Sequence, residues 1–131
     1  MKIYKLLLLF PFISFLSADC SSQTSKIVGT WTVFFKDEKV SSLTCNVCPK
    51  WEFKSDNTLV FTKPDNETEY STWEIDDDNM LSFGKTITGP KGVTENKMSN
   101  SKLKVLFSKS GSFEEMRFDF NGKVAPFVLR K

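Results

Sequence analysis

Residues 51–59 read Trp51-Glu52-Phe53-Lys54-Ser55-Asp56-Asn57-Thr58-Leu59, and this stretch decides the fold class. Trp51 and Phe53 alternate with Glu52 and Lys54, so one face is aromatic and the other charged. A period of two belongs to a strand with one buried side. Ser55-Asp56-Asn57 then supplies turn residues, because Asp and Asn side chains bond nearby backbone groups. A second apolar run begins at once with Leu59. The whole stretch reads as an antiparallel hairpin.

The same grammar repeats on both sides. Strands are expected near 29–36, 50–55, 58–63, 69–75, 80–85, 102–109, 113–120 and 123–130. Trp31, Val33 and Phe35 share a face, as do Trp73 and Ile75, then Leu103, Val105 and Phe107, then Met116, Phe118 and Phe120. Pro64-Asp65-Asn66, Asp76-Asp77-Asp78-Asn79, Ser110-Gly111 and Asn121-Gly122 mark further turns, and Asn-Gly is the strongest short hairpin signal. The stretch 86–100 holds Gly89-Pro90 and Gly92 with little apolar content, and is expected to be a long loop with a short strand around Val93. No segment past the first twenty residues has a helical period. The fold class is therefore all-β, an eight-stranded antiparallel barrel in which closure removes exposed edges. A two-sheet sandwich satisfies the same pattern.

The first residues have a different character. Lys2 and Lys5 precede Leu6-Leu7-Leu8-Leu9-Phe10-Pro11-Phe12-Ile13, and small Ser17 and Ala18 lead to Cys20. This is the layout of a cleavable export signal over 1–19. Its apolar core is too short to span a bilayer, and Pro11 interrupts it. Leu16-Ser17-Ala18-Asp19-Cys20 resembles a bacterial lipobox, with its Leu one place further from the Cys than the pattern has it. Ordinary cleavage near Ala18 stays open. Residues 20–26, Ser-rich, read as a flexible tether, and 27–131 as one domain.

Without residues 1–19 the chain keeps 112 residues, 16 Lys/Arg and 15 Asp/Glu, with the signs interspersed. No basic stripe for nucleic acid and no polybasic membrane patch is present. The sequence has no histidine, which removes the commonest general acid–base side chain and metal ligand. Of three cysteines in an exported chain, one stays unpaired. Lipid attachment at Cys20 leaves Cys45 and Cys48 as a pair. Zinc would need ligands that the sequence lacks. A redox dithiol usually opens a helix, whereas Cys45-Asn46-Val47-Cys48-Pro49 runs into a strand. A local disulfide is the expected outcome.

Ile27-Val28-Gly29-Thr30-Trp31 opens the domain with Gly-x-Trp entering the first strand. With the hairpin at 51–59, the Tyr70-Ser71-Thr72-Trp73 strand and Leu81-Ser82-Phe83, this resembles the lipocalins, and more closely the short bacterial lipocalin-like lipoproteins. The resemblance covers most of 26–130. It implies a basic residue late in the barrel packed across the first-strand Trp31, with Arg130 the first candidate and Arg117 the second. A cation over an indole is worth roughly 0.5–2 kcal/mol.

Other motifs are weaker. Asp76-Asp77-Asp78 lacks the alternate spacing and glycine of a calcium loop and reads as a solvated turn. Glu114 and Glu115 are adjacent on a strand, point to opposite faces and cannot converge on one bond, so they read as surface charges. Asn66-Glu67-Thr68 matches a glycosylation sequon, informative only in a eukaryotic secretory pathway.

The expected function is non-enzymatic, with no cofactor or metal. It is a cell-envelope lipoprotein that holds a small apolar ligand and is anchored through Cys20. Trp31, Phe53, Phe61, Trp73, Phe83 and Phe107 are the candidate lining. The alternative is a protein-interaction module with a filled barrel, its function in the 86–100 and Cys45–Cys48 loops. An interior cavity separates the two.

Overall fold

The computed structural model describes residues 22–36, 43–45 and 47–131. The expected signal, 1–19, and the lipid-attachment residue Cys20 lie outside the described residues.

The fold is all-β and antiparallel. Its strands are β1 (Gly29–Lys36), β2 (Leu43–Thr44), β3 (Lys50–Phe53), β4 (Thr58–Thr62), β5 (Thr68–Ile75) and β6 (Met80–Phe83). They are followed by β7 (Thr86–Gly89), β8 (Gly92–Glu95), β9 (Leu103–Ser110), β10 (Phe113–Phe120), β11 (Lys123–Val124) and β12 (Phe127–Arg130). Pairing runs β4-β3-β1-β12-β10-β9-β6-β5-β7-β8, and β4 also pairs β5, which curls the sheet into a partial ring. β2 adds to β1, and β11 to β10.

The 51–59 hairpin forms as expected, with Trp51 opposite Phe61 and Phe53 opposite Leu59. Its turn works through Asn57, which takes φ 66°. Asn66, Asn79 and Asn121 do the same in three later turns. Asn reaches this region more readily than residues with bulkier side chains. A carboxylate braces each of these turns. Asp56 accepts from the Thr58 N–H at 2.9 Å, Asp65 from Glu67 at 2.9 Å, Asp76 from Asp78 at 3.0 Å, and Asp119 from Gly122 at 2.6 Å. Asp76 thus acts in its acidic run as a turn brace.

Hydrogen bonds from Thr58 hold the Asp56 carboxyl below its ordinary value of 3.8. A depressed carboxyl stabilises the fold fully above its ordinary value, and that stabilisation fades as pH falls through the lowered one. The stability gap between the wild type and Asp56→Asn is therefore expected to narrow in acid below pH 3.8. Carboxyl-carbon NMR checks the cause: an Asp56 that titrates at or above the ordinary value removes it.

Three segments differ from expectation. Residues 20–26 were expected to be a flexible tether, yet Ser22–Ile27 is a helix, α1. Its sequence has no helical face, and so short a helix is marginal alone. It forms because Ile27 is fully buried and its carbonyl accepts the Trp31 indole N–H at 2.7 Å.

The stretch 86–100, expected as a long loop with a short strand around Val93, has that strand as β8, but β7 pairs it in a hairpin and a 3₁₀ turn follows at Lys97–Asn100. Asn96, 4% exposed, holds it: its amide donates to Gly84 O at 3.0 Å and its side-chain oxygen accepts from Met98 N at 3.0 Å. Gly84 lies so close to Thr72 that a Cβ there would collide with the Thr72 hydroxyl. The third difference is 123–130, which splits into β11 and β12 because Pro126 has no N–H for the ladder.

The core takes one face of each principal strand: Trp31, Val33, Phe53, Leu59, Trp73, Leu81, Phe83, Leu103, Val105, Met116, Phe118 and Leu129, with Ile27 from α1.

Candidate functional site

Aromatic rings cluster inside the partial ring of strands. Trp51 lies 5.2 Å from Phe61, 5.7 Å from Phe118, 6.2 Å from Phe83, 6.2 Å from Phe127 and 6.4 Å from Phe53. Phe53 meets Trp73 edge-on at 5.4 Å. Four of the six candidate lining residues, Phe53, Phe61, Trp73 and Phe83, belong to this cluster. They pack against other rings. The remaining two, Trp31 and Phe107, pair separately at 6.5 Å.

Trp31 and Phe107 stand beside an open cleft of about 430 Å³, between α1 and the β9–β10 hairpin. Its other lining residues are Ser25, Lys26, Ser108, Lys109, Glu114, Glu115 and Lys131. Trp31 is 1% exposed and forms the back wall, while Phe107 is half-buried and offers its ring.

A cation does cover Trp31, but it is Lys131: its Nζ sits 4.8 Å from the ring centre. Arg130 lies instead over Phe34 at 5.6 Å and Phe113 at 5.4 Å. The register explains the exchange. Arg130 pairs Thr32, and strand alternation turns both away from the face that carries Trp31. The next residue, Lys131, falls on the Trp31 side. Its ammonium donates to Val28 O at 3.1 Å and Lys26 O at 3.4 Å, and pairs Glu114 at 3.5 Å. Lys131 thereby fastens the end of α1 to the sheet.

Glu114 and Glu115 diverge to separate partners. Glu115 pairs Arg130 at 2.6 Å and Arg117 at 3.5 Å. It was expected at the surface, yet it is 5% exposed. Its buried carboxylate is held by Arg130, which itself lies over two aromatic rings. Among the described residues, Lys26 and Lys109 have no ion-pair partner.

Two further features lie elsewhere. Cys45 and Cys48 are bonded to each other, Cα atoms 5.3 Å apart, just ahead of β3. A cleft of about 200 Å³ opens where β6 gives way to β7, lined by Tyr70, Ser71, Thr72, Gly84, Lys85, Thr86 and Thr88. Its Ser71 hydroxyl is occupied by Thr86 O at 2.9 Å.

Sequence reasoning missed α1 as a wall and Lys26, Lys109 and Lys131 as the cations of the cleft. The parity of 130 against 131 across from Trp31 was the available signal for Lys131. It could be read only with the β1–β12 register in hand. No family model, no curated protein and no solved structure matches this chain.

Proposed function

We propose that this protein is a non-enzymatic, lipocalin-like lipoprotein of the cell envelope that binds a small, largely apolar ligand in the Trp31–Phe107 cleft. Residues 1–19 are the export signal, Cys20 carries the lipid, and 27–131 is the binding domain. The pairing circuit β1-β3-β4-β5-β6-β9-β10-β12-β1 supports an eight-stranded barrel. The observation that carries the reading is the cleft itself. Its volume, about 430 Å³, falls in the range of small-molecule sites, roughly 300–1,000 Å³, and it presents an aromatic ring. The rings around Trp51 occupy the interior, so the ligand belongs at this end of the barrel.

The filled interior also favours a second reading, a protein-interaction module whose scaffold is the barrel. Native mass spectrometry of the protein purified from its own host separates the two. A non-covalent mass that leaves on denaturation is the expected result. A native mass equal to the denatured one moves the reading to the interaction module. Cys20→Ser is expected to release the protein from the membrane fraction, and retention there removes the lipid anchor.

A further inference from the structure

We infer that the cleft is built for an amphiphile with one anionic group, its apolar body on Phe107 and its charge among Lys26, Lys109 and Lys131. This rests on the cleft-binding reading above and specifies its ligand class. The charge balance inside the cleft carries the inference. Three ammonium groups line it, against two carboxylates. Glu115 spends its charge on the opposite face, with its oxygens on Arg130 and Arg117. Glu114 is paired to Lys131. Lys26 and Lys109 are left exposed on either side of the opening, one from α1 and one from β9. An anion between them meets two cations that have no ion pair among the described residues, Lys109 standing across the ladder from Glu114, beside an apolar wall.

Lys131 adds to this. Its ammonium is held by two backbone carbonyls as well as by Glu114, so it stays at the back of the cleft over the indole. A neutral apolar ligand gains nothing from these three groups, and a cation is repelled by them. The apolar part is small, since Trp31 is already covered and Phe107 is the accessible ring. A single chain or ring therefore suits it better than a bulky ligand.

The test uses the host-purified protein with two probes of equal apolar length, decanoate and decanol. Binding is followed by the Trp31 indole N–H and the Phe107 and Lys109 amides in ¹⁵N NMR. Decanoate is expected to move these signals and to bind about fivefold tighter than decanol, as two exposed ion pairs allow. Lys26→Gln with Lys109→Gln is expected to erase that advantage without unfolding the protein, because both side chains are exposed. About 0.5 M salt should shrink it too, by screening. Equal affinity for the two probes at the same signals overturns the anionic specification and leaves the cleft as an apolar site. An advantage that survives the double substitution also overturns it. If neither probe moves these signals, the cleft-binding reading falls with it.

Discussion

Replacing Trp73 by alanine is expected to destabilise the domain by about 3–5 kcal/mol, the cost of deleting a large buried ring. Trp73 is 1% exposed and meets Phe53 edge-on at 5.4 Å. It also ties β5 to the turn of the 51–59 hairpin. Its indole N–H reaches Lys54 O and Thr58 O, each at 3.1 Å, and its own carbonyl accepts the Asn57 amide at 2.9 Å. Trp73→Phe separates packing from hydrogen bonding. Both carbonyls keep a backbone donor, since Asn57 N bonds Lys54 O at 3.0 Å and Lys54 N bonds Thr58 O at 2.9 Å. Phenylalanine is therefore expected to cost less, about 1–2 kcal/mol. Urea unfolding monitored by circular dichroism measures both. An alanine variant within about 1 kcal/mol of wild type would show that these rings are not the main source of stability.

The second large effect concerns Glu115. Arg130→Met is expected to cost about 3 kcal/mol, because it leaves a buried carboxylate without its main partner. The value sits at the low end for a broken buried pair. Arg117 remains at 3.5 Å, and the Arg130 side chain is 23% exposed. Joint replacement, Glu115→Leu with Arg130→Met, removes the stranded charge and keeps apolar bulk over Phe34 and Phe113. The double variant is expected to recover most of the loss, because charges removed together leave none to desolvate. If it is as unstable as Arg130→Met alone, the loss comes from packing on the two rings, and the ion pair is irrelevant. Near-equal stability of Arg130→Met and wild type would refute the argument from the other side.

Both predictions turn on residues that are ordinary in the sequence. Trp73 was read as one apolar position on an alternating strand, and that reading was sufficient to place it inside. That its nitrogen would clasp a hairpin 15 and 19 residues away required the β4–β5 register. In the sequence Glu115 reads as a surface charge, because it and Glu114 point to opposite faces of a strand and cannot converge on one bond. Alternation sorts residues between two faces, but does not say whether the outer face is wet. Here Arg130 and Arg117 pair with it on that face.

At 86–100 the short strand around Val93 is present, but its partner β7 escapes the pattern for a related reason. Thr86, Ile87, Thr88, Val93 and Thr94 are β-branched, but only Ile87 is even half-buried and β8 is exposed throughout. A hairpin with little to bury leaves no hydrophobic period. Asn96 anchors it instead, through bonds from its side chain to the Gly84 carbonyl and the Met98 N–H, both backbone groups.

Local chemistry alone determined the principal strands, their inward faces, the Asn-centred turns and the all-β class. A period of two and a left-handed turn residue act over a few neighbours, whatever the rest of the chain does. The tertiary structure alone decided which of two adjacent cations covers Trp31, that Ser22–Ile27 is helical, and that the aromatic residues pack on one another. Each of these depends on register between strands or on one buried contact far along the chain, such as Lys131 reaching Val28. A shift of one residue in that register would exchange Arg130 for Lys131 and leave the sequence pattern unchanged.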